Sequence, residues 1–113
     1  MKCTNENTQE VVRSIRDAFD TLKGKWRLPI LISMVYGPKR FTEIAADVQG
    51  ISDKILAKEL RALEMNQMIC RVASEEFSSV VAYGLTEHAK SVQKVMFELK
   101  EWGDLHRKQI MGK

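Results

Sequence analysis

The stretch GISDKILAKELRALEMNQMICR, from Gly50 to Arg71, carries two periods in succession. Up to Asn66 its apolar residues recur at steps of three and four, as on one face of an α-helix. From Met68 the step shortens to two: Met68, Cys70 and Val72 alternate with Ile69, Arg71 and Ala73, as along a strand. A chain that passes from helix to strand within a few residues admits few layer architectures.

The helical half is two-sided. At about 100° per residue, Leu56, Leu60 and Leu63 fall within about 60° of one another, with Ile55 at their edge. Lys54, Lys58 and Arg61 occupy another arc of about 60°, roughly opposite. Asp53 and Glu64 sit on a flank and leave that basic ridge unneutralised. Glu59 falls on the apolar side, where it must reach solvent at the margin or find a partner.

Upstream, FTEIAADVQG reads as a short helix with Thr42 as N-cap, Glu43 near the positive end of the helix dipole and Gly50 as its stop. Ser52 caps the longer helix, with Asp53 in its first turn, so two helices meet at a tight turn around Gly50. Downstream, Val81, Tyr83 and Leu85 share one face of a second strand, and Glu75–Ser79 supplies the hairpin tip. Thr86 caps a last helix marked by Ala89, Val92, Val95, Met96, Leu99 and Trp102.

The chain opens with a helix from about Thr8 to Leu22, striped by Val11, Ile15, Ala18 and Leu22 with Val12 and Phe19 beside them. Lys23-Gly24 breaks it. KWRLPILISMVYG, apolar on nearly all sides, predicts a buried central helix with Pro29 in its first turn and Gly37-Pro38 at its end. The predicted fold class is mainly α with a small β-hairpin (α+β): a winged helix-turn-helix, with the helix-turn-helix over about 42–66, the wing over about 68–85 and a C-terminal helix over about 86–109.

At 113 residues this is one domain, and a formal net charge of +3 permits a nucleic-acid partner without demanding one. Cys3 and Cys70 are too far apart to make a zinc knuckle or a disulfide framework. The N-terminus lacks the apolar run of a signal peptide and no stretch reaches membrane-spanning length, so the expected location is the cytoplasm, with no membrane partner. His88 and His106 are too distant to form a local metal pair. No metal, cofactor or catalytic residue is expected, since no phosphate-cradling loop or nucleophile–base motif occurs. Cys70 is expected as a small core residue, Trp26 and Trp102 as packing anchors, and the methionines as core filler.

Charges at the spacing of Lys54, Lys58 and Arg61 more often mark a solvated helix face. The helix-turn-helix before them and the hairpin after them turn the reading toward a duplex major groove, which admits one α-helix between walls of phosphate. The residues then resemble a known family. GKWRLPIL (Gly24–Leu31), GPKRFTEI (Gly37–Ile44), GISDKILAKELRALE (Gly50–Glu64) and YGLTEHAKSV (Tyr83–Val92), in that order, are similar to the HxlR-type, MarR-like winged helix-turn-helix transcriptional regulators of bacteria.

That resemblance implies a homodimer on a palindromic operator in double-stranded DNA. The interface it implies uses the first and last helices, around Val12, Ile15 and Phe19 and around Val95, Leu99 and Trp102. Ser52–Asn66 would read the DNA, with Thr42 and Ser52 on phosphates and Lys54, Lys58 and Arg61 in the groove. The chain departs from the family in three places. The family's sensing-cysteine position falls near Arg13, with Cys3 farther upstream; the wing tip carries Glu75 and Glu76; and Glu59 stands where a basic or amide residue is common. Two other readings stay open: a winged-helix module whose basic ridge docks an acidic protein, and a thiol-based redox-responsive regulator using Cys3. The small-molecule effector, or inducing signal, is left open by the sequence.

Overall fold

Ser52 keeps two helices from fusing into one. Its backbone is extended, and its hydroxyl accepts a 3.1 Å hydrogen bond from the Ile55 N–H, satisfying a donor that the first helical turn leaves open. Just before it, Gly50 adopts φ +86°, a conformation that costs other residues a Cβ clash. The helix-turn-helix thus follows from two local choices that flank Ile51.

In the computed structural model of the chain, residues 5–73 and 81–112 are described. The order is α1 (Asn5–Leu22), α2 (Arg27–Ser33), β1 (Lys39–Arg40), α3 (Phe41–Asp47), α4 (Asp53–Met65), β2 (Ile69–Val72), β3 (Ala82–Leu85), α5 (Glu87–Lys90) and α6 (Gln93–Met111). Cys3 and the expected wing tip, Glu75–Ser79, lie outside the described residues.

The core gathers Ile30, Leu31 and Met34 from α2 and the turn after it, Ile44 from α3, Leu56, Leu60 and Leu63 from α4, and Met68, Ile69 and Ala89. Pro29 falls in the first turn of α2, where the helix has no N–H bond to lose. α4 closes in a Schellman motif: the Met68 N–H donates to the Leu63 carbonyl and the Gln67 N–H to that of Glu64. Gln67 takes the left-handed position, φ +60°, that glycine usually fills.

Three expectations are corrected, and a fourth, the wing hairpin, is present and extended by one strand. Thr42 is not a cap: α3 begins at Phe41, Arg40 is its N-cap, and the Glu43 carboxylate accepts a 2.8 Å bond from the Arg40 N–H. Thr42 therefore sits exposed in the first turn. Cys70 is exposed, because Ile69 takes the inward place opposite Leu85 and the strand period turns Cys70 outward. The wing is a three-stranded antiparallel sheet in the order β1-β3-β2, with Lys39 opposite Tyr83 and Arg40 opposite Ala82. Finally, the last helix is two. After Lys90 the backbone tightens, with the Ser91 and Val92 N–H groups bonded to the His88 and Ala89 carbonyls, and the Ser91 hydroxyl also donates to the His88 carbonyl. This lets α6 leave the core that Ala89 joins.

The radius of gyration is 16.6 Å, against about 13 Å for a compact domain of this length. The excess lies in α1 and α6, whose described residues include none that is fully buried.

Candidate nucleic-acid interface

Packing decides which face of α4 is presented. Leu56, Leu60 and Leu63 are at most 2% exposed and turn that side into the core. Lys54, Lys58 and Arg61 consequently point out, and all three are exposed. Among the described residues no ion pair or side-chain hydrogen bond engages them.

Most acids of the region are held by other bases, while Asp53, exposed on the flank of α4, has no ion pair among the described residues. Glu64 pairs with Arg71 of β2 at 3.5 Å, Asp47 with Lys39, and Glu43 with Arg40 at 3.4 Å. The Arg40 backbone N–H, reinforced by the Arg40 guanidinium, holds the Glu43 carboxyl below its ordinary pKa, so this carboxylate stays ionised. Glu59, the acid on the apolar side, finds Arg27: the two lie 3.2 Å apart, with side chains 14% and 15% exposed. These pairings leave the ridge on α4 a net positive face, offset in part by Asp53 on its flank.

Thr42 and Ser52, near the N-termini of α3 and α4, both face solvent. Met65, 83% exposed, falls on the same arc as the ridge, and sequence reading had counted it as core filler. Lys39 and Arg40 were also missed, since a two-residue strand has no periodicity to read.

A second surface lies away from the ridge. Val12, Ile15 and Phe19 on α1 and Val95, Leu99 and Trp102 on α6 are all exposed, Phe19 at 63% and Trp102 at 61%. Ile15, Phe19, Val95 and Leu99 come together, with Leu22 and Leu28, around one apolar groove of about 550 Å³. Val12 is not part of that groove, and Trp102 lies farther along α6, stacked 4.9 Å from the His106 ring.

A helix-turn-helix with an outward cationic second helix, braced by a small antiparallel sheet, defines a winged-helix regulator. The HxlR-like helix-turn-helix family matches residues 21–111; the chain belongs to that family and is a transcriptional regulator of HxlR/MarR type. It is 37% identical over 90 residues to the HTH-type transcriptional regulator YodB of Bacillus subtilis, covering 80% of each chain. Its fold is similar to the redox regulator HypR in its reduced form (TM-score 0.78, 27% identity, 88% of this chain and 99% of that one). It is also similar to a MarR-family regulator of Enterococcus faecalis (TM-score 0.77, 27% identity, 89% and 92% covered).

Proposed function

We propose that the protein is a sequence-specific DNA-binding regulator that acts as a homodimer on a palindromic operator. The observation that carries this reading is the ridge of Lys54, Lys58 and Arg61, exposed and unpaired among the described residues while Glu59 and Glu64 of the same helix are held by Arg27 and Arg71. Cations in this state release condensed counterions when they meet phosphate, which gives salt-dependent affinity. An arginine in the groove also reads the O6 and N7 of guanine. The exposed hydroxyls of Thr42 and Ser52 suit phosphates at the groove edge and fix register.

The apolar faces of α1 and α6 supply the second half of the argument. Exposed side chains as large as Phe19 and Leu99 on one groove, with Trp102 farther along α6, fit a second copy of the chain better than water. A two-fold pair sets two α4 helices on successive major grooves, about 34–36 Å apart. The protein works where its DNA is, in the bacterial cytoplasm, and no helix among the described residues is long and apolar enough to cross a membrane.

Selection from a random duplex pool tests the reading. Two inverted half-sites should emerge. Failure to enrich any sequence, with capture of an acidic protein instead, would favour the interaction-module reading. The likeness to HypR, described as a redox regulator, supports a second reading in which Cys3 tunes the same activity. Peroxide treatment followed by non-reducing electrophoresis, with Cys3→Ser as control, decides it.

A further inference from the structure

Arg27 ties its own helix to two others at once. It is the first residue of α2, and its Nε donates to Glu59 Oε1 on α4 at 3.2 Å. Its Nη1 donates to the carbonyls of Asp20 and Thr21 in the last turn of α1, at 3.0 and 3.1 Å. The last turn of α1 contains no basic residue of its own. Arg27 therefore provides both the donors that its terminal carbonyls need and the positive charge that suits the negative end of its dipole.

We propose that Arg27 and Glu59 are positioning residues: the clamp they form fixes the angle between α1 and α4, and so the half-site spacing that the dimer accepts. The inference rests on the dimeric DNA-binding reading above. Glu59 approaches from the side of α4 that faces away from Lys54, Lys58 and Arg61, so it has no DNA to touch. Besides this clamp and Leu22, which packs against the core, α1 is joined to α2 through Lys23–Trp26, where Gly24 has φ +98° and open space around it. Such a link sets no angle by itself. The guanidinium does, because its fork is planar and its donors point in fixed directions to two helices. When two α1 helices pair, each clamp carries the orientation of the pair into an α4. One base-pair step is only about 3.4 Å along the duplex, so a small loss of angular control blurs the choice of spacing.

The test uses the full chain and duplexes carrying two copies of the selected half-site at the preferred spacing, and one or two base pairs closer or farther. Wild type should favour one spacing by about tenfold or more. Glu59→Ala and Arg27→Ala should each reduce that preference to about threefold or less, with base preferences inside the half-site unchanged. Charge alone predicts something else. Removing Glu59 strengthens, and removing Arg27 weakens, attraction to DNA at every spacing alike. A merely destabilised variant likewise loses affinity at all spacings together. Should either alanine variant lose its helical circular dichroism, Glu59→Gln, which keeps the shape and drops the charge, is read in its place and should broaden the preference in the same direction. Variants that retain the wild-type spacing preference overturn the inference alone. A wild type that selects no paired half-sites overturns the DNA-binding reading and this inference with it.

Discussion

The Thr86 hydroxyl donates a 2.7 Å hydrogen bond to the carbonyl of Gln67, joining the end of β3 to the residue just past α4. The same oxygen accepts a 3.0 Å bond from the Ala89 N–H, and the Thr86 backbone N–H donates to the Met68 carbonyl at 3.1 Å. One side chain thus caps α5 and ties the base of the wing to the exit of α4. The base of the wing and the exit of the cationic helix are thereby hydrogen-bonded to one another.

Thr86→Val keeps the shape and removes the hydroxyl. It should cost about 1–2 kcal/mol, chiefly from the lost cap on α5, since water can replace the donor at the exposed Gln67 carbonyl. Urea unfolding followed by circular dichroism measures it.

Gln67→Gly should act in the opposite direction. Gln67 sits at φ +60°, where a Cβ is strained and glycine is not. The exchange should stabilise the native state by about 0.5–1 kcal/mol, the relief of strain exceeding the added entropy of the unfolded chain. A raised urea midpoint at unchanged slope is the expected result.

Lys58→Ala with Arg61→Ala, present in both subunits, should weaken operator binding by about tenfold or more and flatten the slope of log K against log salt by about two to four. Fluorescence anisotropy titrations across a salt series read both quantities. Unchanged affinity and slope would place the DNA on another surface.

Phe19→Glu puts a charge into the apolar groove between α1 and α6. Light scattering should fall from twice the chain mass of 13.0 kDa to that mass itself. Far-ultraviolet circular dichroism should retain the core signal, because Phe19 lies outside the buried cluster.

What could be read in advance was local. Ser52 and Thr86 were legible as caps because a cap acts within three residues, and the leucines of α4 because a helix repeats its face. Glu59 was legible as an acid in need of a partner, but Arg27 lies 32 residues away and only the fold brings them together. Thr42 and Arg40 competed for one cap, and the Glu43 carboxylate settled it by bonding the Arg40 N–H. Cys70 went astray by one strand position, enough to reverse its face. The break between α5 and α6 turns on the Ser91 hydroxyl, and a periodic pattern does not reveal a single side-chain bond to backbone.

The length of α6 carries a last consequence. With no buried residue of its own, it draws its shelter from the second copy in the proposed pair, as α1 does. Assembly then adds to folding by mass action, and the melting temperature climbs with concentration. Scarcity would fray these two arms before it touched the reading head, making abundance a condition for competent protein as well as for occupied sites.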